Sequence, residues 1–481
     1  MRDGTNHGVV IKELETFDII TVATKRFSSL TIQHLGRVLV AGRDFEVGDL
    51  VLRESPLVWF SDTQNLIVKF LSEMTETDRE DMLSMFHFDS SQETTHEPCK
   101  RSMTQLAEEA HRLHGIWQRK HQNEQISSEL IFKCLSIANL NAHSFYPNDS
   151  EPNRAALFPA AAIISHSCRP NTIYAIEQSC IEYYAARPIR CGEEITSTYL
   201  SWSDLVMCTT AQRREKLLAS KDFVCLCARC EGPDLGRGVP CRRGSGSGSG
   251  SPHSCSGVSY PSCSGRGRGS GGPQCQWLCA ACGSRKKSVQ SGVERDLEQE
   301  HQRLLRDCSL SSSSSTEWDL LAEAAAQQLS PAHSVTVRTV LAAAALMERE
   351  AEALAGSDFY AAREWRLLAV RRLEQFVRAM ECVEAHCPRV RTCLPSGRAH
   401  GPAVSAVKEV ADIWVHSARS HEAPPAWLPS YLPLLAVFFG ARSSLVRDVK
   451  RSYGLSEEER GCGSGSGSDS APDFRAYCKQ S

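Results

Sequence analysis

Three short stretches hold the residue types that can do chemistry. Ser165-His166-Ser167-Cys168-Arg169-Pro170 runs into Asn171, a polar turn carrying an imidazole, a thiol and an amide. Gly192-Glu193-Glu194-Ile195-Thr196-Ser197-Thr198-Tyr199 follows, a turn and a β-prone stretch that ends on a phenol hydroxyl. Cys225, Cys227 and Cys230 then bring three thiols close together. Thiolates at this spacing suit tetrahedral zinc, which requires a fourth ligand from elsewhere. The chain contains 21 cysteines and opens Met1-Arg2-Asp3-Gly4 without the apolar core of a secretory signal. Reduced, metal-binding thiols are therefore expected in place of disulfides. Cys134, Cys180, Cys308 and Cys382 stand apart from any cluster and read as small buried hydrophobes.

Such groups need a framework. Arg37–Val40 and Leu50–Leu52 are apolar and β-prone around the turn Glu46-Val47-Gly48-Asp49, so residues 35–60 read as strands. Over 61–130 the pattern becomes helical: Leu66, Ile67, Phe70, Leu71 and Met74 share one face, as do Leu106, Ala110 and Leu113, with a polar His-rich middle from His87 to His96. Strands return at Thr172–Ile176 and Ile181–Ala185 within 131–204, and 205–232 carries the cysteine triplet. Residues 233–290 are a Gly/Ser-rich linker with further cysteines. Between 291 and 455 the chain reads as helical. Val335–Glu352 and Phe359–Val377 are separated by Gly356-Ser357-Asp358, with Asp358 a good N-cap. Further helices are expected over Ala403–Ser417 and Leu434–Arg451. Residues 1–34 form a lead-in and 456–481 a Gly/Ser tail.

At 481 residues the chain is too long for one core, and two to four units are expected. A formal charge of −3 gives no global attraction to nucleic acid or membrane. The longest apolar runs, Ala155–Ile164 and Tyr431–Phe439, contain proline and are too short to span a bilayer. A soluble intracellular protein of the nucleus or cytoplasm is expected.

The ordered trio of turn, strand-ending tyrosine and cysteine triplet resembles the SET-domain lysine methyltransferases. Phe223-Val224-Cys225-Leu226-Cys227-Ala228-Arg229-Cys230 resembles the post-SET ending of the SMYD branch in particular. The resemblance implies an α+β multidomain protein: a SET β-fold with a helical insert, a zinc-bound post-SET segment and an all-α C-terminal domain of TPR-like kind. It implies S-adenosylmethionine and zinc as cofactors, a lysine of a histone tail or another protein as substrate, and a role in chromatin regulation. Tyr199 takes the place of the catalytic tyrosine. In the family, the segment His166–Asn171 threads past the Gly-Glu-Glu strand in a knot-like crossing, with Ser165 here where asparagine is usual. By the same resemblance Ser165, His166 and Asn171 meet the cofactor, Phe223 stacks on its adenine, and Gly36, Arg37 and Val38 approach its methionine part. An asparagine ending the preceding helix adds a contact, either Asn141 or Asn139. The fourth ligand to the zinc of Cys225, Cys227 and Cys230 is then Cys168. Lys221 stands where SMYD enzymes often have a channel tyrosine.

Trp277-Leu278-Cys279-Ala280-Ala281-Cys282 resembles a Trp-x-Cys-x-x-Cys element beyond the post-SET segment of arthropod SMYD-like proteins. A second zinc there would join Cys279 and Cys282 to Cys241 and to either Cys255 or Cys263. No MYND finger fits residues 61–130, whose only cysteine is Cys99. Two other readings are open. One is a non-catalytic SET-like scaffold with zinc-stabilised interaction surfaces. The other, a nucleic-acid-binding zinc protein, lacks a basic stripe with interleaved aromatics.

Overall fold

The computed structural model describes residues 19–25, 35–46, 48–88, 97–120, 126–145, 154–177, 180–241, 255, 257–262, 276–286, 291–309 and 314–386, with isolated positions between 428 and 451. Apart from those positions, the helices expected at 403–417 and 434–451 lie outside them, as do Cys263, Cys275 and the tail. The chain divides into two units.

The first unit contains β1 (Ile19–Lys25), β2 (Leu35–Ala41), β3 (Leu50–Glu54) and β4 (Val58–Phe60). Four helices follow: α1 (Thr63–Ser72), α2 (Glu76–Leu83), α3 (Glu97–Lys120) and α4 (Ser128–Asn141). Then come β5 (His143–Phe145), β6 (Arg154–Leu157), β7 (Ser165–His166), β8 (Thr172–Glu177), β9 (Cys180–Ala185) and β10 (Thr196–Ser197). The strands form small sheets, β1-β2, β3-β9-β8, β4-β6-β5 and β10-β7. The two early strands legible in the sequence are present but do not pair with each other. β2 pairs with β1, while β3 joins β9, because the connecting turn at Gly48 (φ 87°) and the Phe45–Ile189 bridge carry the chain elsewhere.

Side-chain caps start the helices. Asp62 accepts from the Asn65 amide at 2.8 Å, Thr75 and Asp78 form a capping box, and Ser127 accepts from the Leu130 amide at 3.1 Å. Leu66, Ile67 and Phe70 face Ile131, Leu135 and Trp117 in one apolar cluster. A second cluster under the strands joins Leu39, Val51, Leu52, Phe158, Ile164, Ile181 and Ile195. Ile164 and Ile195 flank the chemistry-bearing turns, so core packing sets where those turns lie. Cys134 is buried as expected, whereas Cys180 is only half-buried, its Sγ 3.4 Å from Ser55 Oγ.

The second unit opens with α5 (Trp202–Met207) and the start of α6 (Thr210–Lys221), whose C-terminal part belongs to the first unit. After α7 (Ala228–Glu231), β11 (Val239–Pro240), β12 (Val258–Ser262), β13 (Gln276–Cys279) and β14 (Arg285–Lys286) form one antiparallel sheet in that order. Helices α8 (Ser291–Ser309), α9 (Ser315–Gln328), α10 (Ser334–Leu354) and α11 (Phe359–His386) follow. Asp358 caps α11 through the Ala361 amide at 3.0 Å. Arg237 grips Glu294 through two hydrogen bonds of 2.9 and 2.8 Å, and buried His333 stands 3.4 Å from the same carboxylate. Burial opposes charge on Glu294, yet the Arg237 and His333 contacts overcome it and hold the carboxyl down to about 2.

Candidate active site and metal centres

The site is built where two segments distant in sequence lie side by side. β7 and β10 run parallel, with Ser165 opposite Thr196 and His166 opposite Ser197. The Ser167 amide continues the pairing to the Ser197 carbonyl at 2.8 Å. Asn171 fastens the crossing. Its Nδ2 donates to the Glu194 carbonyl (2.8 Å) and Glu193 (3.3 Å), and its Oδ1 accepts from the amide (2.7 Å) and hydroxyl (3.0 Å) of Thr196. Thr172 adds a bond to the Thr196 carbonyl at 2.9 Å. Gly192 takes φ 82°, a left-handed turn suited to glycine, and Glu193 beyond it pairs with Arg187.

His166, almost fully buried, links two sides of the site. Its Nδ1 accepts from the Tyr199 amide at 2.9 Å, so the ring proton sits on Nε2 and points at Cys168 Sγ, 3.3 Å away. One imidazole thereby positions the backbone of Tyr199 and a donor against the cysteine. The Tyr199 hydroxyl donates to the Ile164 carbonyl at 2.7 Å. That carbonyl ends the 3-10 turn Ala161–Ile163, which leads straight into Ser165. Tyr199 is nevertheless 43% exposed, so one side of the ring is open to a reactant. Phe223 meets it edge-on with centroids 6.4 Å apart and lies 5.9 Å from the His166 ring.

Sequence reading singled out Lys221 but missed its partners and other neighbours. Lys221 Nζ donates to the Leu140 carbonyl at 2.6 Å and lies 5.8 Å from the Tyr199 ring centroid. His143 contacts Tyr174 at 5.0 Å between centroids, and Tyr174 contacts Tyr183 at 5.4 Å. Burial, helped by the charge on Lys221, drives His143 down to about 4, so it is neutral at physiological pH. Burial likewise lowers Lys221 itself.

Glu54 supports the site from beneath. Its two carboxylate oxygens each accept a backbone amide at 2.9 Å, from Ala160 and Ala161, at the start of the turn that presents the Ile164 carbonyl. Burial outweighs these bonds and raises its carboxyl to about 7. A carboxyl raised on folding contributes stability that is present below its unfolded value and lost as pH climbs through the folded one. Glu54 should therefore cost up to about 3 kcal/mol between pH 4.5 and 7. Denaturant titrations across that window should show a falling stability in the wild type, and a flatter curve for Glu54→Gln.

The cysteines gather in two groups. The sulfurs of Cys168, Cys225, Cys227 and Cys230 lie within 4.8 Å of one another, with 4.0 Å between Cys168 and Cys225. A tetrahedral zinc site with bonds of about 2.3 Å sets its sulfurs about 3.8 Å apart. Arg213, buried, extends Nη2 to within 3.7 Å of Cys230 Sγ and adds positive charge beside the thiol. Cys241, Cys255, Cys279 and Cys282 form the second group, with separations of 3.9 Å (241–282) and 3.7 Å (255–279). Cys255, one of the two candidates left open by sequence, is in the group; Cys263 lies outside the described residues. Gly257 donates its amide to Cys255 Sγ at 3.3 Å, and a Cβ there would come within 3.0 Å of Cys279 Sγ. Both donor sets fit zinc in identity, number and spacing.

The expected cofactor residues are placed unevenly. Ser165 and His166 lie in β7, and Phe223 beside Tyr199, so these three border one site. The Asn171 amide is spent on the crossing. Asn141 donates Nδ2 to the carbonyls of Phe86 and Ile137, both at 2.8 Å, while Asn139 is exposed. Gly36, Arg37 and Val38 lie in β2, whose neighbouring Ala41 amide bonds the Glu193 carbonyl at 2.8 Å; Val38 is buried, and the side chain of Arg37 lies outside the described residues. Among the described residues no helix is long and apolar enough to cross a membrane.

Comparison with known proteins finds a family match over part of the chain. Residues 36–200 match the SET domain. N-lysine methyltransferase SMYD2-A of Xenopus laevis is 27% identical over 176 residues, 35% of this chain and 38% of that protein. Histone-lysine N-methyltransferase ASHR1 of Arabidopsis thaliana is 34% identical over 100 residues, 21% of this chain and 20% of its own length. The chain thus spans well under half the length of these two relatives. The solved SET domain of LSMT bound to lysine and AdoHcy aligns with 80% of this chain and 92% of its own at 12% identity, with a TM-score of 0.30, a likeness too loose to place any residue.

Proposed function

From the SET-domain match over residues 36–200 and the similarity to lysine methyltransferases, we propose that this chain transfers methyl groups from S-adenosylmethionine to lysine side chains of proteins, histones or others, in the nucleus or cytoplasm. The observation that carries this reading is the placement of Tyr199. Its ring is open on one side, its hydroxyl is anchored on the Ile164 carbonyl, and its backbone is held by the imidazole that faces Cys168.

When bound, S-adenosylmethionine supplies a methyl group activated on a sulfonium. The chain must supply a lysine that is neutral, desolvated and in line. Burial beside Tyr199, Phe223, Tyr174 and Tyr183 would strip water from the amine and so favour loss of its proton, against the attraction of the ring faces for a cation. The phenol oxygen and the carbonyls of Ile164 and Leu140 offer acceptors that orient the amine. Phe223, packed beside the His166 ring, offers a flat face for a heteroaromatic ring. Cys168, Cys225, Cys227 and Cys230 would hold one zinc, and Cys241, Cys255, Cys279 and Cys282 a second.

A methyl-transfer assay on histones and on whole-cell lysate tests the reading, with calorimetric titration of S-adenosylmethionine beside it. Transfer to protein lysine supports it. One observation favours the scaffold alternative: the Asn171 amide is fully occupied within the crossing and Ser165 offers only a hydroxyl. Absence of cofactor binding in the high-micromolar range would establish that alternative. For the metals, elemental analysis should find two zinc ions per chain. Cys279→Ser should lower the count to one and leave cofactor binding unchanged within about two-fold, since β13 lies in the other unit from Tyr199. A count of one in the unsubstituted protein would remove the second centre.

A further inference from the structure

Lys221, the last residue of α6, faces Tyr199. Among the described residues its ammonium meets the Leu140 carbonyl at 2.6 Å and the Tyr199 ring at 5.8 Å, and it enters no ion pair. The backbone around it is turned on purpose. Asp222 takes φ 55°, which closes α6 and sends the chain back so that Phe223 reaches the edge of the same phenol. Lys221 and Phe223 therefore flank one ring.

Capping α4 through its Leu140 carbonyl explains one hydrogen bond. It does not explain why a long, strongly hydrated side chain gives up water where no anion compensates it. The groups facing Lys221 are Tyr199, neutral His143 and a backbone carbonyl; the ring face and the carbonyl offset part of the desolvation of a charge, and burial still lowers the amine. A neutral amine suits those surroundings better. Partial desolvation, a backbone carbonyl accepting an N–H, and the face of the strand-end tyrosine are what a methyltransferase site must offer any substrate lysine. Lys221 already has all three.

We propose that Lys221 is itself a methyl acceptor of this site, so that the protein methylates its own α6. The proposal rests on the methyltransferase reading above. In the step, the neutral Nζ uses its lone pair to form an N–CH3 bond while the S–CH3 bond of the sulfonium donor breaks. The sulfur keeps the bonding pair and becomes a thioether, and the new methylammonium releases a proton to solvent. The product keeps its basicity but has one N–H fewer for the Leu140 carbonyl.

The test incubates the full chain with trideuteromethyl S-adenosylmethionine and maps the label by mass spectrometry. The expected result is label on the peptide containing Lys221, formed at a rate that does not depend on protein concentration. Lys216→Arg, exposed on the same helix, should leave that label in place, and Tyr199→Phe should slow it at least about 50-fold. A second readout uses no donor. In protein carrying 13C-lysine, the ε-carbon signal lost in Lys221→Arg should titrate below the exposed lysines. Three results overturn the proposal: methylation of added histone with Lys221 unlabelled, label that grows with protein concentration, or a Lys221 signal that titrates with the others. The first leaves the methyltransferase reading standing. Failure to bind S-adenosylmethionine at all removes that reading and this one together.

Discussion

Tyr199→Phe is expected to reduce methyl transfer at least about 100-fold, with the fold intact and S-adenosylmethionine affinity within about two-fold of wild type. The expectation follows from what the hydroxyl touches. It donates to the Ile164 carbonyl at 2.7 Å, which fixes the phenol oxygen in a side chain that is 43% exposed. That oxygen can orient an amine or stabilise a polarised methyl, a role whose benefit exists chiefly in the transition state. Phenylalanine keeps the edge contact with Phe223 and the approach of Lys221, because both involve the ring alone. The backbone amide of residue 199 still reaches His166. Stability should fall by about 1 kcal/mol for the lost hydrogen bond, or about 2–4 °C in Tm. Transfer kinetics, calorimetric titration and thermal melts on one preparation separate these effects. Turnover within a factor of about three of wild type would take Tyr199 out of the chemistry.

The part of the site that lay in contiguous residues was legible from sequence. Ser165–Asn171, Gly192–Tyr199 and the three cysteines announce themselves because each needs only neighbouring residues to be recognised. What escaped depends on backbone groups and distant pairs. The Ile164 carbonyl is an acceptor only because a 3-10 turn stops beneath it, and no residue type encodes that. Glu54 looked like an ordinary strand residue until the turn 106 positions later placed two amides on it. Lys221 was visible as a substitution, but its bond to Leu140, 81 residues earlier, was not. The role of Asn171 shifted for a related reason. An amide four-fold satisfied by Thr196, Glu193 and Glu194 belongs to the crossing itself, which sequence proximity to Ser165 could not reveal. In the second unit α9 was missed although its signal was present, since Ser314 and Glu317 form a capping box just before an alanine-rich run.

Cys168→Ser is the substitution expected to do the widest damage. Structural zinc binds small peptides with about 10–16 kcal/mol, so losing one of four thiolates should empty the site at submicromolar free metal. Elemental analysis should then find one zinc fewer than in wild type. The consequences should extend beyond the metal, because Cys168 is also the acceptor for the Nε2 proton of His166. With a hydroxyl in place of a metal-held thiolate, the Nε2 proton of that ring loses its charged acceptor. The same ring accepts the Tyr199 amide through Nδ1, so transfer should fall with metal content. A destabilisation of at least about 3 kcal/mol, or about 6–12 °C in Tm, is expected alongside. Cys191→Ser provides the control, being exposed with its thiol donating to the Gly42 carbonyl at 3.2 Å, and should keep full metal and activity. Chelation of wild type should reproduce the loss, and added zinc should reverse it. Full zinc occupancy in Cys168→Ser would place the ion on other ligands and break the link between the cysteine cluster and the tyrosine.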